Sequence, residues 1–291
     1  MEARANSIKA EGNKCFQRGD FAAAEGLYSQ AIIVDPKNSA LYTNRALVRL
    51  KLEMWGGVVD DCTTCLERVP DNMKALYYLS QAELQLRDFD AAVAHCRRAH
   101  ALCVQSDDKS LTNITNHMLD CKRARWNDME NHRLREAGAL EGEMVELAER
   151  EKASVLASLE ASKSAKSGNG SDGSDTSDTS AEYAEIAAEW DAKIARLRET
   201  FERSRAASAV EARRTVPDWA IDDITFAIMV DPVVTNTGKS YERAAIMEHL
   251  RRQHTDPLTR EQLLPSDLRP NLALRAACEE FLDQNGWAVD W

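Results

Sequence analysis

A step of 34 residues runs through the first hundred positions of this 291-residue chain. Gly12, Ala46 and Ser80 are one such series, all small. Ala24, Val58 and Ala92 form a second, and Ala31, Cys65 and Ala99 a third. Tyr28, Cys62 and Cys96 occupy a bulkier site four residues after the second series. Pro36 and Pro70 close the first two units, with Val104 in the third slot. Small side chains recurring at this interval predict stacked pairs of antiparallel helices whose axes approach closely at the crossings. A proline just past the second helix of a unit stops it, because it cannot continue the hydrogen-bond ladder. Turns between paired helices are expected at Arg18-Gly19-Asp20, Met54-Trp55-Gly56-Gly57 and Arg87-Asp88.

These units, over about residues 5–106, resemble tetratricopeptide repeats, and 110–126 supplies a capping helix. Stacked repeats present a concave face built from the first helix of each unit. Lys9 and Asn13 share one side of a helix by their i, i+4 spacing, and Asn44 and Lys74 fall in the second and third units. Two ammonium groups and two amides suit a peptide C-terminus carrying its free carboxylate and a last acidic side chain. Lys51 lies where it could reach a further acidic residue. The alternative is ordinary solvated lysines. The segments Lys9-Ala-Glu-Gly12-Asn13, Tyr42 to Ala46 and Lys74-Ala75 resemble the carboxylate clamp of chaperone-binding tetratricopeptide domains, which hold Glu-Glu-Val-Asp tails. That resemblance implies Phe16, Tyr77 and Tyr78 as apolar peptide contacts. It departs from many clamps in having Tyr77-Tyr78 where an arginine is common.

From Trp126 to about Ser164 the chain lacks proline and is rich in Glu, Ala, Leu and Arg, which predicts one long helix. Residues 166–181 are Ser, Gly, Asp and Thr at their centre, a composition that buries nothing. Glu182 to Arg214 is helical again, with Ile186, Trp190, Ile194, Leu197 and Phe201 on one stripe. A helical hairpin with a disordered acidic tip follows, its stripe packing on the first helix or on a second copy.

Past Pro217 the pattern changes to loops around short helices. A zinc-bound version of such a domain needs eight Cys or His ligands, and only His249, His254 and Cys278 are available, so no metal is expected. Hydrogen bonds and charges must hold the loops, with Asp231, Glu242, Arg243 and Arg260 as candidates. The run Ile224-Thr-Phe226-x-x-Met229-x-Asp-Pro232-Val, then Gly238-x-x-Tyr241, Ile246-x-x-His249-Leu, Asp256-Pro257-Leu-Thr259-Arg260 and Pro270-Asn271-Leu272 resembles a U-box. With the repeats and the closing Asn285-Gly286-Trp287, the whole chain resembles the CHIP-like co-chaperone ubiquitin ligases. The resemblance implies a ligase that bears no covalent ubiquitin. It implies an apolar groove of Ile224, Phe226, Pro257 and Leu263 for a ubiquitin-conjugating enzyme. Arg260 would be the linchpin between that enzyme and ubiquitin. Ile224, Phe226 and Leu263 have a small local core as their alternative.

The fold class expected is therefore mostly α. Three repeats with a cap occupy 1–126, a helical hairpin 127–214 and a small α+β U-box 215–291. The partners implied are heat-shock chaperones with Glu-Glu-Val-Asp termini, conjugating enzymes, ubiquitin, misfolded clients and a second copy of the chain, with no cofactor. Net charge is -11, against nucleic-acid binding. No apolar run is long enough to span a membrane, and seven cysteines without a secretory signal point to a cytosolic or nuclear setting. Cys62-Thr-Thr-Cys65 falls on helix-packing positions and has no second pair nearby to make a metal site. A rival reading is a non-catalytic co-chaperone adaptor.

Overall fold

The computed structural model describes residues 2–167, 176–211 and 215–291, so half of the serine-rich tip expected at 166–181, residues 168–175, lies outside the described residues. Six helices build the repeats: α1 Glu2–Gln17, α2 Phe21–Val34, α3 Ser39–Lys51, α4 Trp55–Arg68, α5 Met73–Gln85 and α6 Phe89–Ser106. The helix starts are set by caps. Asp20, Asn38, Asn72 and Asp88 each accept a backbone N–H of the following first turn, at 3.0 to 3.3 Å. Every member of the four 34-residue series is buried, as close helix crossings require. A Cβ on Gly12 would lie 2.9 Å from the Tyr28 ring, so α1 and α2 approach too closely there for any side chain.

The turns repeat in register as well. Gly19, Glu53 and Arg87 all have left-handed φ, at 81°, 57° and 66°. The second turn therefore centres on Glu53. Trp55, Gly56 and Gly57, expected to form it, lie inside α4. Gly57 is small because Arg49 crosses it, 3.1 Å from where a Cβ would stand.

An ion cluster ties the first two units together. Arg45 and Arg49 share one side of α3. Arg45 bonds Asp61 of α4 at 2.6 Å and Ser29 of α2 at 2.9 Å. Arg49 bonds Glu25 of α2 at 2.7 Å and Asp61 at 3.1 Å. One repeat later, the places of Arg49 and Asp61 are taken by Glu83 and His95, paired at 2.8 Å with the charges exchanged.

The helix α7 runs unbroken from Leu111 to Ser167, so the expected cap and first hairpin arm are one element. Two compact units result: residues 1–128 with 216–291, and residues 129–215. In the second, α7 pairs antiparallel with α8, Thr176–Glu211. Lys152 meets Asp191 at 2.6 Å, Glu149 meets Arg198 at 3.3 Å, and Glu141 meets Arg205. Ile194 of the α8 stripe is buried, while Met129, Leu140, Met144 and Leu147 of α7 remain exposed.

In the first unit the C-terminal domain holds a three-stranded antiparallel sheet ordered β2-β1-β3. The strands are β1 Pro232–Val234, β2 Ser240–Glu242 and β3 Arg269–Pro270. Helix α9 spans Arg243–Leu250 and α10 Leu272–Gln284, the latter capped by Asn271. Val233, Tyr241, Ile246, Leu250 and Leu263 make one core, and Met229, Cys278 and Leu282 belong to a second.

Candidate functional sites: a basic groove and a pair of aspartate-centred loops

The groove residues sit on the first helix of each unit: Lys9, Asn13 and Phe16 on α1, Asn44 and Lys51 on α3, Lys74, Tyr77 and Tyr78 on α5. Asn13 and Lys74 are exposed, and Lys9 and Asn44 are half-buried. Among the described residues no carboxylate pairs with Lys9, Lys51 or Lys74. The Tyr28 hydroxyl donates to Asn13 Oδ1 at 2.7 Å. That bond orients the amide, leaving its NH₂ free to donate to a ligand. Asn44 and Arg45 are neighbours with separate duties, since Arg45 is taken up by the ion cluster. Phe16 packs on Phe21 with ring centroids 5.5 Å apart. Tyr77 stands edge-on to His117 of α7 at 5.5 Å, whereas Tyr78 packs against the buried cluster of the second repeat.

The C-terminal domain carries two loops built to one plan. In the first, Asp222 Oδ2 accepts the N–H and hydroxyl of Thr225, both at 2.8 Å. In the second, Asp256 Oδ1 accepts the N–H of Leu258 at 2.8 Å and of Thr259 at 3.1 Å. The Phe226 N–H donates to Asp222 O at 2.8 Å, and the Arg260 N–H to Asp256 O at 2.9 Å. Each loop is closed by an isolated bridge, Ile221 with Ile228 and Thr255 with Gln262. Each places a non-glycine residue in left-handed backbone at the same point: Phe226 at φ 56° and Arg260 at φ 61°. These aspartates do the work that zinc ligands do in metal-bound loop domains. Asp231, Glu242, Arg243 and Arg260 were the expected loop supports. Asp231 does bind Arg243 at 2.7 Å, and Glu242 holds the first loop, but Arg260 supports neither loop with its side chain. The repeated Asp-x-x-Thr at 222–225 and 256–259 was the available signal.

Asp256 is a firmly ionised centre. Burial pushes its carboxyl up, but the N–H groups of Thr259 and Leu258 and the Tyr241 hydroxyl outweigh that and hold it below its ordinary value.

The loop tips form an exposed apolar face. Phe226 is 70% exposed and Leu258 65%, with Ile224 and Pro257 half-buried beside them. Leu263, expected in this face, is 3% exposed and belongs to the core with Val233 and Tyr241. Its neighbour Leu264 is the one turned outward. The Arg260 guanidinium is exposed and has no ion pair among the described residues.

Glu242 links the sheet to the first loop. Its Oε2 accepts the N–H of Val230 at 2.7 Å and of Asp231 at 2.9 Å, and its own N–H donates to Asp222 at 2.8 Å. Burial, against those N–H bonds, raises its carboxyl from 4.5 to about 7. Between those values the folded domain keeps a proton that the unfolded chain has released. Stability is therefore full below pH 4.5 and falls as pH rises through 7, by up to about 3 kcal/mol. Glu242→Gln has no proton to lose, so its melting temperature will fall less than that of the parent between pH 4.5 and 8. Equal declines in both proteins would remove Glu242 as the cause.

All seven cysteines are free and buried. Burial pushes Cys62 and Cys65 up, and Cys278 up to about 11. Beside Cys121, the Cys96 thiol and the His117 ring, 3.4 Å away, outweigh burial and hold the Cys121 thiol below its ordinary value.

A family model for the U-box domain matches residues 216–287. The E3 ubiquitin-protein ligase CHIP of Arabidopsis thaliana is 34% identical over 290 residues, covering 98% of this chain and 96% of that protein. The Hsp70/Hsp90 co-chaperone CNS1 of Saccharomyces cerevisiae is 29% identical over 147 residues, 49% of this chain and 38% of its own length. Among solved structures, the TPR2B domain of yeast Sti1 in complex with pHsp70 matches with TM-score 0.39 and 21% identity, over 41% of this chain and 96% of that one. The first TPR of Spaghetti (RPAP3) bound to the HSP90 peptide SRMEEVD matches with TM-score 0.39 and 24% identity, over 43% and 94%. With helical repeats at one end, a U-box at the other and similarity to a ligase of the same extent, the chain belongs to the CHIP family of E3 ubiquitin ligases.

Proposed function

We propose that the groove of α1, α3 and α5 holds the acidic C-terminal tail of cytosolic heat-shock chaperones while the U-box delivers ubiquitin to the chaperone or its misfolded client. The observation that carries this is the Asn13 amide, held with its donors outward by Tyr28 beside an unpaired Lys9 one helical turn away. Lys9, Asn13, Asn44 and Lys74 bind the terminal carboxylate and last acidic side chain, and Lys51 meets an acid further along the tail. Phe16 and Tyr77 pack against the tail's apolar residue, and Tyr78 supports Tyr77 from behind. Ile224, Phe226 and Pro257, with Leu258 and Leu264, form the face for the conjugating enzyme. Arg260 bridges that enzyme and ubiquitin.

Transfer in this reading passes directly from the conjugating enzyme to the acceptor lysine, by positioning rather than through a ubiquitin-bearing residue of the ligase. The burial and raised pKa of Cys278 support this. The exposed α7 stripe of Met129, Leu140, Met144 and Leu147 supports a second copy of the chain as partner, and light scattering would give its mass.

Calorimetry with a peptide ending in Glu-Glu-Val-Asp tests the groove. Lys9→Ala will weaken binding about 10- to 100-fold, the loss of one charge-assisted contact. Amidation of the peptide terminus will weaken it by a similar factor. An amidated peptide binding as tightly as the free acid would overturn the clamp and leave a groove for internal acidic segments.

A further inference from the structure

The U-box is not merely connected to the repeats; it is docked on them. Val230 and Ala244 of the U-box pack into the cluster of Ile114, Met118 and Cys103 on α6 and α7, and Leu119 of α7 packs into the U-box core. Ion pairs surround this apolar seam, and all but one place the cation on the repeat side; the exception is Arg251 of the U-box, 3.7 Å from Asp107 at the end of α6. Arg97 of α6 pairs with Glu279 of α10. Lys122 and Arg125 of α7 both reach Asp283 of α10, at 3.0 and 2.6 Å. Arg123 pairs with Asp290 near the C-terminus. In these pairs the four cations belong to the repeat side and the three anions to the U-box side. Lys122 is 3% exposed, so its ammonium is desolvated against a single carboxylate partner that it shares with Arg125. The Trp126 indole N–H donates to the Gln284 carbonyl at 3.0 Å. Gly286 lies so close to Trp126 that a Cβ there would overlap its side chain.

An apolar seam ringed by partly solvent-exposed ion pairs is an interface that salt can loosen, because screening weakens the ring. We propose that α6, α7 and the C-terminal segment form an ionic latch that holds the U-box against the repeats and can open. Phe226 and Leu258 stay exposed in the docked form, so the latch does not block the conjugating-enzyme face. It fixes where that face stands relative to the tail groove. Closed, it confines transfer to lysines at one distance from the groove; open, it lets the U-box reach lysines elsewhere, including the chain's own. This second half rests on the U-box acting as proposed above; the docking itself does not.

Hydrogen exchange of Gly286–Asp290 in the full chain reads the latch without any ubiquitin transfer. Asp283→Lys, a change on the U-box side alone, sets its new ammonium against Lys122 and Arg125 across the seam and leaves the repeats unaltered. It will raise exchange in that segment at least about tenfold. Lys122→Glu will do the same, and the double exchange Lys122→Glu with Asp283→Lys will restore protection. Gly286→Ala, a steric wedge that changes no charge, will open the latch at any salt concentration, whereas the parent will open progressively as salt rises. Unchanged exchange in both Asp283→Lys and Gly286→Ala, with melting curves showing both folded, would overturn the latch. Self-modification sites mapped by mass spectrometry should spread to new lysines in the opened variants. An identical pattern in open and closed forms would overturn the control of reach while leaving the docking in place.

Discussion

Replacing Arg260 by glycine will abolish most ubiquitin transfer without lowering the stability of the U-box. The two effects separate because the backbone and the side chain of this residue have different tasks. Its φ of 61° is a conformation that costs a non-glycine residue about 1–2 kcal/mol. Glycine removes that strain, and its greater freedom in the unfolded chain returns most of the gain, so the net change should stay within about 1 kcal/mol. The N–H bond to Asp256 survives, since it uses only the backbone. What is lost is an exposed guanidinium with no ion-pair partner among the described residues. Its planar fork of donors is the group that can bridge two proteins. Transfer should fall at least about tenfold, equivalent to about 1.4 kcal/mol of activation free energy. Arg260→Lys keeps the charge without the fork and should recover only part of it. Single-turnover discharge of a loaded conjugating enzyme onto free lysine, run beside thermal melts, measures both. A glycine variant that transfers normally would leave Arg260 a turn residue only.

Asp61→Ala should be the most destabilising single change in the repeats, at about 3–5 kcal/mol. Asp61 is 2% exposed and accepts from two guanidinium groups, those of Arg45 and Arg49. Its removal leaves both cations half-buried with only Glu25 between them. The consequence reaches the groove, because α3 carries Asn44 on one side and this pair of arginines on another. Tail binding should therefore weaken although Asp61 touches no ligand. Asp61→Asn keeps the shape and some hydrogen bonds, and should lie between the parent and alanine. Urea unfolding of the repeat signal would show the loss as a lower midpoint. A shift below about 1 kcal/mol would mean that the cluster is solvated enough to be replaced by water.

Much of this molecule is legible from its sequence because its constraints are local and repeated. Small residues 34 apart can mean only a few things, and each of them is buried at a helix crossing. The second turn does not fall on its glycines, although glycine is the usual turn residue. Gly56 and Gly57 lie within α4, where Gly57 makes room for Arg49, and the left-handed position falls on Glu53. Leu263 and Leu264 differ in burial although, as adjacent leucines, they cannot be sorted into inner and outer without the geometry of the loop that presents them. The bridge from Thr255 to Gln262 fixes that geometry and turns Leu263 inward. The docking of Val230 and Ala244 on α6 and α7 left no trace in the pattern, since it joins segments more than a hundred residues apart. The ion pairs across that seam draw on residues that read singly as solvated surface charge.

The most direct test of the account is ubiquitin transfer to a chaperone ending in Glu-Glu-Val-Asp, comparing the intact protein with Lys9→Ala and Phe226→Ala. The account predicts that both variants lose chaperone modification and that self-modification survives only in Lys9→Ala. Preserved tail binding with no transfer by the intact protein, across several conjugating enzymes, would contradict it and leave an adaptor that holds chaperones without modifying them.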